Sequence, residues 1–498
     1  MSDAKTKRNH DIIAGFATFV AMSYIIFANP SVLEPIGMAA GPVLLWTCVI
    51  AFAGTAVAAI ALDTPTALAC GMGLNLFLAH YSTQQGVPWE RLLATCAIVS
   101  VLVFVLSLIP ARRGIIRAVP PQIFAAVKAA VGSLLVKFSL SDIADVASTK
   151  AGNATEPFGL KTAIFVFTVG IIVIIFIKAL CAKYVATHST DETQAALAKE
   201  KVQLPDSSSI IISVIVMIPI CWWLQLSQQM TPTQGLYSIW QGPGAPLDQL
   251  KEWKDWGTCL AFGLAVFFIM MMDIAGSPIE YAREGNPGET LSNDKKEAIA
   301  KHSLWIDSGF NILAPLAGVS PVVFYAENHV GWKAGGRSGW TAGAAAAGFL
   351  VFALVGAVSI WLGRPISEWI PKFAIMPALF FVGLTVMAES FVRRSSPAAK
   401  GDITQTDQLK TPLGRALFFF PAALTVVIVT ITFSFDVAIA AGILAYALIS
   451  LLPKAYIGEE AEPAEGPNPL NATERHARLS PIYVGAAVVL FANFMLLK

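Results

Sequence analysis

Two stretches decide the fold: DTPTALACGMGLNLFLAHY at residues 63–81 and GVSPVVFYAENHVG at residues 318–331. Both lie among long apolar runs, yet each is too short for a whole membrane helix, which needs about 20 residues. Pro65, Gly71 and Gly73 interrupt the first, and Gly318, Pro321 and Gly331 the second. A chain that leaves helical geometry at membrane depth must be buried in protein or line a polar cavity. Each stretch also carries a polar group next to its breakers, Asn75 in one and Glu327 in the other.

Working outward, apolar windows place spans near 11–29, 41–62, 66–80, 92–109, 121–138, 160–182 and 207–227. A second series follows near 257–277, 303–319, 322–333, 341–362, 373–390, 414–432 and 434–453, with a last apolar segment at 480–497. The fold class is therefore an all-α polytopic membrane protein of about 14 transmembrane segments. The short, broken element stands third in each set of seven, so the broken segments are the third and the tenth. Matching interruptions in two halves point to an inverted-repeat transporter whose site lies at the repeat interface. An odd number of spans per half requires the repeats to be inverted; re-entrant or interfacial pieces are the alternative reading of the two short windows. The first repeat covers 1–227 and the second 257–453, and 454–498 is a connector plus the extra segment. The polar stretch 184–206 and the Glu/Pro-rich 458–475 read as solvated connectors.

Composition agrees. Of 498 residues, 55% are hydrophobic and 13% charged, with a mean hydropathy of +0.64, against roughly 25% charged in soluble proteins. The net charge of +1 gives no basic excess for nucleic acid. Six cysteines occur without CxxC or metal-ligand spacing, so no metal site is expected. The first apolar run continues through Asn29 and Pro30 without a small-residue cleavage site and reads as a first span, not a removed signal peptide. There is no Walker GxxxxGK[ST] and no readable Ser/His/Asp set, so neither ATP-driven pumping nor a catalytic residue is expected and the chain is not read as an enzyme. The NxT triplets at Asn153 and Asn471 are frequent by chance.

Orientation follows from Lys and Arg in short loops. With Lys5, Lys7 and Arg8 cytoplasmic, the inside loops hold Arg112, Arg113 and Arg117, Lys199 and Lys201, Arg283, Lys295 and Lys296, Lys333 and Arg337, and Arg393 and Arg394. The outside loops are poorer, so the N-terminus is expected in the cytoplasm.

An ionised carboxylate at the bilayer centre costs at least about 2.5 to 3.5 kcal/mol on insertion scales, so it faces a cavity, pairs, or takes up a proton. Asp273, after the apolar run of AFGLAVFFIMMMDIAGSP (261–278), and Glu327 are functional candidates on that ground. The alternatives are an Asp273 that caps a helix at the interface, since Gly276, Ser277 and Pro278 follow it, and a Glu327 in a solvated loop. The Asn75 amide offers donor and acceptor to a heterocycle edge, or bonds a neighbouring helix. Phe324 and Tyr325 could stack on a flat ligand or simply pack. Asn29-Pro30 and Gly276-Ser277-Pro278 read as helix terminators. His80 and His329 lie near the broken segments and could titrate.

IIAGFATFVAMSYIIFANPSVL (12–33), PTALACGMGLNLF (65–77), MDIAGS (272–277) and AENHVGWKAGGRSG (326–339) together resemble the AzgA-type purine permeases of the nucleobase cation symporter superfamily. The resemblance runs from about residue 10 to residue 453. It implies a UraA-type fold with a core domain of segments 1–4 and 8–11 and a gate domain of segments 5–7 and 12–14. It also implies proton symport of hypoxanthine, guanine or adenine, with Asp273, Glu327 and Asn75 at positions tied to substrate and proton. Asn328, Phe324, Tyr325, Gly73 and Gly276 complete the expected substrate and proton site. The chain departs from the family at Met270, where the usual VDLFDTAGT has a first acid, and at PVVFYA before Glu327, with Asn328 and His329 after it. Those departures leave open another small solute, including an anionic one, or a ligand-binding receptor that moves nothing. The proton is the expected coupling ion and no cofactor is expected. A nucleobase, the proton and the lipid bilayer are the expected partners. Localisation is expected in the plasma (cell inner) membrane, with a homodimer expected from the fold.

Overall fold

The computed structural model describes residues 2–108, 121–147, 159–188, 204–223, 246, 256–273, 278, 281–282, 291–325, 327–363, 366, 371–392, 412–432 and 435–450. Among the described residues, seven segments come first. These are α1 (Ser2–Met22) with α2 (Ile25–Leu33), α3 (Ala40–Leu62), strand β1 (Leu68–Cys70) running into α4 (Met72–Gln85), α5 (Trp89–Leu108), α6 (Pro121–Ala147), α7 (Leu160–His188) and α8 (Leu204–Trp223). Seven more follow: α9 (Trp256–Asp273), α10 (Asn293–Leu316), strand β2 (Val322–Phe324) with α11 (Asn328–Lys333), α12 (Gly339–Trp361), α13 (Lys372–Val392), α14 (Pro412–Thr432) and α15 (Phe435–Ser450). The chain is a polytopic helical membrane protein, and the third and tenth segments are the broken ones. The last apolar segment, 480–497, lies outside the described residues.

Two boundaries differ from expectation for readable reasons. The ninth span begins at Asn293, well before the apolar window near 303, because Ser292 caps the helix by accepting from the Lys295 amide at 3.3 Å. Its polar first turns extend the helix beyond the apolar part. The first span breaks at Ser23–Tyr24, between α1 and α2, and not at Asn29-Pro30; α2 runs through both residues to Leu33. Pro30 sits in the short second piece, where few intrahelical donors are at stake.

The chain divides into two compact units. The first comprises Met1–Phe104, Leu135–Lys254 and Asp273–Val382. Within it, α12 packs along α3 and α1. A Cβ on Gly15 would fall 2.6 Å from the Ala344 Cβ and closer still to the Thr341 carbonyl oxygen, while the Phe19 ring fills the space over Gly348. These small residues let helix backbones approach, as expected where lipid supplies no hydrophobic drive between helices. Outward-facing Val351, Leu354 and Val358 on α12, and Phe165, Ile172 and Phe176 on α7, are exposed apolar side chains, the inverse of a water-soluble surface and the condition of a lipid-facing one. The second unit comprises Val105–Leu134, Asp255–Met272 and Gly383–Lys498. Inside it, Gly132 lies against Gly383 and Met387, and the Thr430 hydroxyl donates to Ser133 Oγ at 2.8 Å.

At one end of the first unit the start of α1, the end of α3 and the start of α12 meet. Asp11, 7% exposed, accepts from the Arg337 amide at 2.7 Å, the Ser338 hydroxyl at 2.5 Å and the Thr341 hydroxyl at 3.1 Å. Asp63 accepts from the Gly339 amide at 2.9 Å, and it does so from a left-handed backbone with φ 48°, which Asp tolerates better than most residues. Two carboxylates thus meet the positive end of the α12 dipole and its unpaired N–H groups. The Arg337 guanidinium turns the other way and donates to the Trp332 carbonyl at 2.6 Å, closing the C-terminus of α11.

Gly15→Val is expected to abolish recovery of monodisperse protein, because its side chain has nowhere to go against Thr341 and Ala344. Gly343→Ala on the same α12, with nothing within 4 Å of the added Cβ, is expected to elute as the parent does. Fluorescence-detected size-exclusion chromatography reads both.

Candidate functional site

The two broken segments meet as a short antiparallel ribbon. Leu68 opposes Phe324, Ala69 opposes Val323 and Cys70 opposes Val322. Outside the ladder, the Gly71 amide donates to the Pro321 carbonyl at 2.9 Å and the Tyr325 amide to the Ala67 carbonyl at 3.3 Å. Opposing pairs in an antiparallel ladder alternate between bonded and non-bonded, so Leu68 and Val322 turn their backbone groups away from the partner strand. In a bilayer those outward groups have no water to meet, and each unpaired one costs several kcal/mol.

Side chains from neighbouring spans meet them. Thr55 of α3 donates its hydroxyl to the Leu68 carbonyl at 3.0 Å and accepts from the Leu68 amide at 3.1 Å. Asn311 of α10 accepts from the Val322 amide at 2.6 Å. In each half of the chain the second span therefore seals the edge of the strand in the third span, an equivalence that inverted repeats predict.

Residues at the ends of the ribbon are also engaged. Asn328, fully buried, accepts from the Ala67 amide at 2.8 Å and donates to the Ala67 carbonyl at 2.9 Å. The Tyr325 hydroxyl donates to the Cys70 carbonyl at 2.5 Å, and the Trp332 indole to the Pro65 carbonyl at 3.0 Å. Phe324 packs into a cluster with Leu68, Leu62, Ile306 and Val319. Three residues expected to touch ligand, Phe324, Tyr325 and Asn328, thus have contacts that hold the ribbon together. Gly73 stands in the first turn of α4.

Glu327 is half-buried and sits immediately before α11. Its Oε1 accepts from the hydroxyl of Tyr24 at 3.2 Å, and Tyr24 lies at the break in the first span. Asn75, 0% exposed, donates from Nδ2 to Oδ1 of Asn29 and lies 3.7 Å from Met72 Sδ. Asn29 in turn donates to the Thr47 hydroxyl at 2.6 Å. Asn75 Oδ1 has no partner among the described residues. His329 stacks on Trp332 with ring centroids 4.2 Å apart. Asp273 closes α9; its side chain, and all of Gly276, lie outside the described residues. Met270 is buried in α9.

Sequence reasoning missed Tyr24, Thr55, Thr47 and Asn311 and read Asn29 only as a terminator. The one available signal was a Tyr, Thr or Asn inside an otherwise apolar run, at Ser23-Tyr24 and at Asn311. One open cavity, about 280 Å³, is lined by Gly37, Met38, Trp89, Glu90 and Gly318 among others. It lies beyond the end of α2, away from Glu327. Among the described residues no group of three or more His, Cys, Asp or Glu side chains is placed to hold a metal ion.

No family model matches the chain. It is 24% identical over 454 residues to the adenine permease AdeP of Escherichia coli, covering 90% of this chain and 88% of that one. It is likewise 24% identical over 458 residues to the guanine/hypoxanthine permease PbuO of Bacillus subtilis, covering 90% and 93%. Among solved structures it resembles the transmembrane domain of a cyanobacterium bicarbonate transporter, BicA, at a TM-score of 0.51 and 13% identity, over 87% of this chain and 97% of that one. It also resembles murine Slc26a9, an anion transporter in the inward-facing state, at 0.53 and 11%, over 89% and 68%; in another SLC26A9 structure the chain spans 65% of the neighbour's length. These structural likenesses show the fold.

Replacing Asn328 by Ala strips both bonds from Ala67 and is expected to destabilise the ligand-free protein by about 1 to 3 kcal/mol. A thermal melt in detergent reads this directly; an unchanged melt would show that the two bonds to Ala67 do not hold the ribbon.

Proposed function

From its kinship with the AzgA-type nucleobase permeases, we propose that the chain carries purine nucleobases into the cell together with protons, by alternating access. The alignment with adenine and guanine/hypoxanthine permeases over about nine-tenths of each chain carries this reading. Geometry supplies its physical support. Two half-segments meet inside the membrane and bring to one ribbon a carboxylate, Glu327, and a buried amide, Asn75, whose Oδ1 has no partner among the described residues. A purine base carries ring N–H donors and ring-nitrogen acceptors, so a carboxyl and an amide oxygen match its edge.

In this reading Glu327 takes a proton from the outside. The base then binds across the half-helix ends. Movement of a core of segments 1–4 and 8–11 against a gate of segments 5–7 and 12–14 opens the site inward, and base and proton leave together. Asp273 serves as the second acid of the pocket. The membrane is the plasma membrane, with the Asp11, Asp63 and Arg337 end in the cytoplasm. That assignment agrees with Lys7, Arg8 and Arg337 all falling at the same end of the first unit.

Uptake of labelled adenine, hypoxanthine and guanine into cells expressing the chain tests the proposal. Accumulation of at least one base is expected, collapsing when a protonophore is added, and Glu327→Gln is expected to cut it by about tenfold or more. Accumulation that ignores the protonophore would overturn proton coupling. Failure of well-inserted protein to accumulate any of the three would overturn the purine assignment.

A further inference from the structure

The first span kinks at Ser23–Tyr24, where the Ser23 hydroxyl donates back to the Val20 carbonyl at 2.8 Å while Tyr24 keeps helical dihedrals. α1 ends at Met22 and α2 begins at Ile25, with the Ile26 amide donating to the Ser23 carbonyl at 3.1 Å and the Ala28 amide to the Tyr24 carbonyl at 2.9 Å. No Pro or Gly stands at the join. Kinks in helices ordinarily trace to Pro, to Gly/Ser pairs or to an inserted group.

Beyond the cut, the two buried polar side chains that follow reach different broken segments. Tyr24 donates to Glu327 next to α11. Asn29 accepts from Asn75 in α4 and is itself anchored on Thr47 of α3. Both side chains are buried, Asn29 completely, and burying polar groups in an apolar span is costly unless they are bonded.

We infer that the second half of the first span is a positioning element, in which Tyr24 sets the carboxyl of Glu327 and Asn29 sets the amide of Asn75. The inference rests on the nucleobase reading for its ligand but on the hydrogen bonds alone for the positioning. A carboxyl on a short stem can turn through several rotamers, and a phenol O–H fixed by the span break selects one. An amide can present either its oxygen or its nitrogen to a ligand. With Nδ2 of Asn75 held by Asn29, Oδ1 is the atom that remains, and it accepts an N–H of the base. Tyr24 and Asn29 touch no reacting atom; they act through Glu327 and Asn75, and each pair forms an independent unit.

The test is a pair of double-mutant cycles on the purified full chain in lipid nanodiscs, read as binding of labelled adenine and hypoxanthine. Tyr24→Phe is expected to weaken binding about tenfold in the wild type and less than about twofold in the Glu327→Ala background, where no acceptor for the phenol remains. Asn29→Ala is expected to behave in the same way towards Asn75→Ala. Tyr24→Phe and Asn29→Ala together are expected to multiply their effects. Equal costs in both backgrounds, or monodisperse single variants that bind as the wild type does, overturn the inference.

A measurement without ligand separates this from the nucleobase reading. In the acid-minus-neutral infrared difference spectrum, the carboxyl band that Glu327→Gln removes is expected to shift in Tyr24→Phe. A band that stays in place overturns the role of Tyr24 whatever the substrate proves to be. A wild-type protein that binds neither base while the band shifts leaves the positioning standing and rejects the purine.

Discussion

A polypeptide that abandons helix inside a membrane must still pair its backbone N–H and C=O groups, and the arrangement around residues 63–81 and 318–331 follows from that requirement. The broken segments pair with each other, Leu68–Cys70 against Val322–Phe324. A two-stranded ribbon has two open edges, and Thr55 and Asn311 close the outward groups of Leu68 and Val322. Asn328, Tyr325 and Trp332 take up the carbonyls and amides at the ribbon's ends. Once these groups are satisfied, the half-helix α4 and the turn at Glu327 can begin at membrane depth, which is what a midplane binding site needs.

The same constraint accounts for the close fit of the helices around the ribbon. The spans of the first unit approach one another through Gly15, Gly331, Gly339 and Gly348, where a Cβ would collide with a neighbour. Asp11 and Asp63 tie the start of α12 to the first and second spans. A rigid frame of this kind lets a few side chains of the first span hold Glu327 and Asn75 in place. Function then depends on groups that never meet the solute, which is common where a site is built from a supporting shell.

Much of this was readable in advance. The segments, their order, and the third and tenth breaks follow from apolar run lengths and the Pro and Gly positions, since bilayer thickness and backbone pairing leave few choices. Glu327 and Asn75 were found because a polar group among apolar residues needs a reason. Thr55, Thr47 and Asn311 were not found, because a lone Thr or Asn in a span has no periodic signature and its partner lies in a distant segment. Tyr24 was missed for the same reason, and Asn29-Pro30 reads as a helix terminator because Pro usually ends a run; the fold instead uses Asn29 as a bridge and carries α2 through Pro30. Phe324 and Tyr325 were legible as groups that stack on a ligand or simply pack, and Asn328 as a ligand group; that Tyr325 and Asn328 also bond across the ribbon depends on its register, which no local pattern shows.

The central claim is that the two halves of the chain meet through this ribbon in one antiparallel register. Disulfide trapping in native membranes tests it most directly, with Cys70 replaced by Ser and single cysteines placed in pairs along the two strands. Leu68→Cys with Phe324→Cys is expected to cross-link under mild oxidation, because these residues oppose each other directly only in the antiparallel register. Leu68→Cys with Val322→Cys, paired as a parallel register would place them, is expected not to. Cross-linking of the second pair in preference to the first would contradict the ribbon and the site built on it.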